Sequence, residues 1–200
     1  MANLPALGTA ETHKKNLERL KVAAKFAHAI APGAAAPLGT AVDSRPAEWE
    51  KVQRLLTERV GEWAKVGQRH QIVIARTPHV AQALRAIEAA VGARKAINSP
   101  WLRLAFDYSH CELQVVKLAE ALSQLFHSQV FLHVKDTQGT TDQFDFVLPG
   151  QSRTHYFTYA KLFTGGNYPG PVVVEVSSQT FARNAYALVE DARVCDSALA

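Results

Sequence analysis

Cysteine is nearly absent from this 200-residue chain. There are two, Cys111 and Cys195, too few for the disulfide framework that staples small secreted domains, so a reducing, cytoplasmic setting is expected. No apolar run approaches the roughly 20 residues needed to span a bilayer. The first eight residues lack the charged start and apolar core of a secretory signal. No charge of one sign dominates, with 22 Lys and Arg against 18 Asp and Glu and a net +4. Hydrophobic residues make up 48% and charged residues 20%. That is an ordinary balance for one globular domain with a sizeable core.

The small excess of positive charge is unevenly placed. Residues 1–100 carry 15 Lys and Arg against 8 Asp and Glu, and residues 101–200 carry 7 against 10. The basic charges in 11–25 and 48–69 alternate with apolar positions, and no aromatic platform is interleaved. This is the pattern of solvated helix faces, and a nucleic-acid partner is not expected.

Apolar spacing predicts a helix over 11–30, with Leu17, Leu20, Ala24 and Ala27 on one face. A second helix opens at Pro46 behind Asp43 and Ser44, its stripe being Trp49, Val52, Leu56, Val60 and Trp63. Residues 1–10 read as a disordered start, and 31–39 as a poor strand followed by a loop. Strands are predicted over 71–75, 101–106, 130–134 and 171–176. Helices are predicted over 80–91, 112–126, 154–163 and 181–195, with a long loop from Asp136 to Pro149. Alternating, nearly continuous apolar strands and helices argue for a parallel α/β sheet covered by helices. Ile72 to Arg103 is 31 residues and Arg103 to Phe131 is 28, unit lengths that suit a (β/α) barrel or a doubly wound sheet. Four strands and the poor fifth fall short of the eight of a closed barrel. The expectation is therefore a partial (β/α) TIM-type barrel of about five of eight units, in one domain.

Three of these strands end in chemistry. Leu102–Phe106 runs into Asp107, with His110 three residues on. Val130–Val134 carries His133 and leads into Lys135 and Asp136, and Val172–Val176 carries Glu175. Side chains alternate along a strand, so Asp107, His133 and Glu175 can project to one common side. Two carboxylates and an imidazole suit Mn²⁺, Mg²⁺, Co²⁺ or Zn²⁺. The alternative is solvated strand ends and a hydrogen-bonded core histidine. Lys135 shares the inward pattern and suits either an anionic oxygen of a substrate or an ion pair with a neighbouring acid. Cys111 has no activating neighbour in sequence and reads as a small buried residue.

Phe106-Asp-Tyr-Ser-His110, His133-Val-Lys-Asp136, Leu148-Pro-Gly150 and Asn167-Tyr-Pro-Gly170 ahead of Val173-Val-Glu175 resemble the xylose-isomerase-like TIM-barrel superfamily. Within it they most resemble the sugar phosphate isomerase and epimerase branch. The resemblance implies a divalent metal on Asp107, His133 and Glu175. It implies Glu175 as a catalytic base, His110 in contact with substrate or metal-bound water, and Asp136 as the acid that closes the His-x-x-acid motif; with His110, Lys135 and Asp136 are expected to bind substrate. It also implies isomerisation or epimerisation of a carbohydrate through an enediolate.

Several positions depart from the family pattern. The carboxylate expected at the end of an earlier strand is missing from Gln71–Val80, where Arg76 stands near its place and His79 is a possible substitute ligand. Gly139, Ser152 and His155 replace other usual residues. No counterpart of the first two βα units precedes Glu11, which implies a truncated barrel whose open edges a homodimer would cover. The alternatives are a catalytically degenerate fragment acting as a binding module, and a relative of metal-dependent abasic-site endonucleases.

Overall fold

The computed structural model describes residues 2–30, 38–41, 48–82, 85–125 and 129–176. They fall into two compact units, residues 1–106 with 124–130, and residues 107–123 with 131–200. The Pro46 helix start and the predicted 181–195 helix lie outside the described residues. Among those described, no helix is long and apolar enough to cross a membrane.

In the first unit the order is β1 (Ala2–Asn3), α1 (Ala10–Ile30), β2 (Leu38–Ala41), α2 (Trp49–His70), β3 (Ile74–Thr77), α3 (Ile87–Ile97) and β4 (Leu102–Asp107), whose last residue opens the second unit. The strands pair in sequence order and all in parallel. Ala2 faces Thr40, Leu38 faces Ile74, and Ile74 faces Leu102. The stretch 1–10, expected as disordered, instead supplies β1. Leu4 and Ala6 are buried in the core, and Arg59 Nη1 donates to the carbonyls of Ala6 and Gly8.

The predicted helix faces are the packed ones. Leu20 and Ala24 of α1 meet Leu56, Val60 and Trp63 of α2 in one core with Ile72, Ile74 and Leu102. His13 Nε2, 2.6 Å from Glu62 Oε2, joins the two helices beside it. Helix α2 ends on Gln71 in the left-handed region, where the Ile72 N–H returns to the Gly67 carbonyl. A Cβ on Gly67 would lie 2.6 Å from the Ile72 carbonyl oxygen, so this close approach requires glycine.

The helix predicted over 80–91 begins later, at Ile87. Residues 79–82 form a turn instead, with Gln82 N–H on the His79 carbonyl and Ala81 N–H on His79 Nδ1. A side-chain acceptor that captures a local N–H competes with the helical ladder. The same bond occupies Nδ1 of His79.

Arg76 does not stand in for the missing carboxylate. Strand alternation places it with Ile74, on the helix-packed face, opposite Ala75 and Thr77. Its Nη2 donates to the Ala90 carbonyl of α3. Arg76 is fully buried, and its Nε and Nη1 have no hydrogen-bond partner among the described residues. Burial pushes the guanidinium down to about 9.

In the second unit, α4 (Tyr108–Leu113) and α5 (Leu118–Leu125) replace the single helix predicted over 112–126. Between them Val115 adopts φ 61 and is 90% exposed. Then come β5 (Gln129–Val134), β6 (Asp136–Gly139), β7 (Phe144–Val147), α6 (Tyr156–Gly165) and β8 (Val172–Val174). The predicted 136–149 loop is in fact the antiparallel β6–β7 hairpin, with Asp136 opposite Val147 and Gly139 opposite Phe144. Strands β5 and β8 are parallel, with His133 beside Val173. The valines of β8, expected to be packed, are exposed.

Two predictions test this packing. A buried guanidinium with unsatisfied donors carries a desolvation cost. Arg76→Met should therefore raise unfolding stability by about 1–3 kcal/mol, read by urea titration. A β-branched residue held at positive φ is strained, and Val115→Gly should stabilise by roughly 1 kcal/mol in the same assay.

Candidate metal centre

The centre is assembled from three neighbouring chain ends within the second unit. Asp107 closes β4 and caps α4. Its Oδ1 accepts from Ser109 N–H at 3.1 Å and Ser109 Oγ at 2.5 Å, as an acid at an N-cap should. Only Oδ2 is left to face the centre. Three residues on, the first turn of α4 delivers His110, whose Nε2 is 3.4 Å from that oxygen.

His133 and Lys135 reach the same place from β5. Their backbone is held from α6, where Tyr156 donates its hydroxyl to the Lys135 carbonyl at 2.7 Å and Tyr159 donates to that of His133 at 3.2 Å. Burial pushes both phenols up, so they remain neutral donors. Glu175 follows β8, and its N–H continues the ladder onto the Val134 carbonyl.

Asp107, His133 and Glu175 each offer one ligand atom, and these atoms lie within 4.8 Å of one another. His133 Nδ1 is 2.9 Å from Glu175 Oε2, and Lys135 Nζ is 2.9 Å from Asp107 Oδ2 and 3.3 Å from Glu175 Oε1. Even so, Asp107 Oδ2, His133 Nδ1 and Glu175 Oε2 are buried atoms without a hydrogen-bond partner among the described residues. Converging oxygen and nitrogen atoms, close but not aligned for hydrogen bonds, fit a cation shared between them. The donor set suits Zn²⁺, Mn²⁺, Co²⁺ or Mg²⁺.

The charges are strongly coupled. Burial alone would raise the Asp107 carboxyl, but Lys135, His110 and the Ser109 hydroxyl hold it well below the usual range. Burial would likewise raise Glu175, and the close His133 imidazole and the charge of Lys135 lower it. Burial would lower Lys135, and Asp107 with Glu175 raises it. Lys135 is therefore a charged ion-pair partner.

The expected site residues divide sharply. Asp107, His110, His133, Lys135 and Glu175 come together. Glu175, with 31% of its side chain exposed against 9% for His133, is the accessible member. His110, expected to touch substrate, is 1% exposed and faces Asp107 and Lys135.

Asp136, expected among the substrate-binding residues, has a different position. Its oxygens accept from the N–H groups of Thr137, Gly150 and Ser152 and from the Thr154 hydroxyl. Four donors from the chain itself make it the organiser of the 148–154 loop. Lys135 and Asp136 are adjacent and so point to opposite sides.

Phe146, on the unforeseen hairpin, was missed as a site residue. Its ring lies 4.4 Å from Lys135 Nζ and meets the His110 ring edge-on at 5.9 Å. The Phe144-Asp-Phe146 alternation after Gly139 was the available signal.

The chain belongs to the xylose isomerase-like TIM barrel family, whose model matches residues 3–198. Among solved structures it is similar to the IOLI protein with a bound zinc atom. The TM-score there is 0.81 at 14% identity, over 100% of this chain and 75% of that one. It is similar to the 3-keto-D-glucoside 4-epimerase YcjR from E. coli, at TM-score 0.74 and 14% identity, over 100% of this chain and 74% of that one. It is also similar to the D-psicose 3-epimerase of Clostridium cellulolyticum with D-tagatose, at TM-score 0.74 and 15% identity, over 98% of this chain and 72% of that one. At these identities the likeness is one of fold. No curated protein sequence matches the chain significantly.

The lowered carboxyls set the sign of a pH dependence. A group whose folded pKa lies below its unfolded one stabilises the fold above the unfolded value. That stability is lost as pH falls through the folded value. Wild type should therefore lose stability steadily from about pH 5 downward, and Asp107→Asn should show a flatter acid limb in thermal unfolding from pH 7 to 3.

Proposed function

We propose that the protein is a metal-dependent isomerase or epimerase of a sugar or sugar phosphate, working through an enediolate. The observation that carries the reading is the convergence of ligand atoms from Asp107, His133 and Glu175 within 4.8 Å. A divalent metal held there would polarise neighbouring oxygens of the sugar and acidify the carbon-bound proton between them. Glu175, accessible and held as the carboxylate, removes that proton. The C–H electron pair forms the enediolate double bond and charge moves to the carbonyl oxygen. Delivery of a proton from water to the other face of the same carbon gives the epimer; return of the proton from Glu175 to the neighbouring carbon, with the hydroxyl proton passing to the former carbonyl oxygen, gives the isomer. His110 acts behind this chemistry as a positioning residue, touching Asp107 and Lys135.

One observation favours a second reading, a sugar-binding module without catalysis. Strand β3 bears no carboxylate, and its arginine is packed against α3, so proton transfer has a single base.

Solvent deuterium separates the two. The chain with Mn²⁺ and a panel of ketohexoses and pentulose phosphates in D₂O should wash deuterium into one carbon-bound position, read by NMR. Glu175→Gln should slow this by about 10²–10⁴-fold. Sugar binding without any exchange would move the assignment to the binding module, and an unaffected Glu175→Gln would remove Glu175 as base.

A further inference from the structure

We infer that Lys135 is a cation built into the ligand set. It competes with a divalent metal for Asp107 and Glu175, so its ammonium must leave before the centre is loaded. The inference rests on the metal reading above.

Asp107 has one oxygen left for the centre, because Ser109 occupies Oδ1 with two donors. The remaining Oδ2 already lies 2.9 Å from Lys135 Nζ. A metal on that oxygen, at a bond length of about 2.1 Å, would be at most about 5 Å from the ammonium. The repulsion between a dication and an ammonium at that distance is large in a buried setting. Glu175 is shared in the same way, its Oε1 being 3.3 Å from Nζ.

Nor is the ammonium a passer-by. His110 Nε2 at 3.4 Å and the Phe146 ring at 4.4 Å complete its surroundings, and Lys135 is 4% exposed. Between two carboxylates it removes the repulsion they would otherwise feel without metal. The same contacts oppose entry of the metal. A lysine stem is long and flexible, and the Glu175 side of the centre is the exposed one, so the head group has a way out.

The test is a titration of Mn²⁺ into the full chain as wild type, Lys135→Met and Lys135→Gln, with thermal unfolding of each with and without metal. The variants should bind Mn²⁺ at least about tenfold more tightly than wild type. Without metal they should melt lower, and Mn²⁺ should raise their melting temperature by more than it raises that of wild type. A variant that folds only when Mn²⁺ is added gives the same support.

A merely structural lysine predicts otherwise. Affinity would be unchanged or weaker, with melting lowered equally with and without metal, and either result overturns the inference. So does a variant that stays unfolded at Mn²⁺ saturating for wild type. If wild type binds and the variants do not improve, the role of Lys135 alone falls. If wild type takes up neither Mn²⁺ nor Zn²⁺, the metal reading falls with it.

Discussion

The buried ion pair between Lys135 and Asp107 governs the centre. Two carboxylates brought into one buried place repel each other and cost desolvation, and neither is tolerable without a nearby positive charge. Lys135 supplies it, 2.9 Å from Asp107 and 3.3 Å from Glu175. The surrounding architecture serves this contact. Ser109 turns Asp107 so that one oxygen faces inward, and Tyr156 and Tyr159 hold the backbone from which His133 and Lys135 project. Parallel pairing of β5 with β8 brings Glu175 level with Lys135.

Asp136 shows how two adjacent residues divide the labour. Lys135 points into the centre and Asp136 points away, and the latter gathers four donors to fasten the 148–154 loop. Thr154 links it further to Glu112. The stretch of histidine, one residue, lysine and aspartate thus contains an imidazole that faces Glu175, a counter-ion and a loop anchor. Its last residue, Asp136, is held by four donors of the chain itself.

Much of this was legible in the sequence because strand alternation is simple. Once β4, β5 and the segment at Glu175 were placed, Asp107, His133, Lys135 and Glu175 had to share a side. The stripes of α1 and α2 were equally plain. What escaped has physical causes. Val115 breaks a helix without glycine or proline, at a φ that valine rarely adopts, so no local signal marked it. The β6–β7 hairpin is short, and its turn outweighed the Phe144 and Phe146 alternation. The facing of Arg76 follows from the side it shares with Ile74, but its partner, the Ala90 carbonyl, lies 14 residues on and outside any local pattern.

The contrast between Arg76 and Lys135 also bears on how the centre works. Both are buried cations at strand ends, yet one faces a helix carbonyl and the other two carboxylates. Burial lowers Arg76, whereas the carboxylates more than offset burial at Lys135. A charge retained against burial is available to act. Lys135 thus offsets part of the negative charge that Asp107 and Glu175 bring into the centre, whereas Arg76 is spent on a helix carbonyl within its own unit.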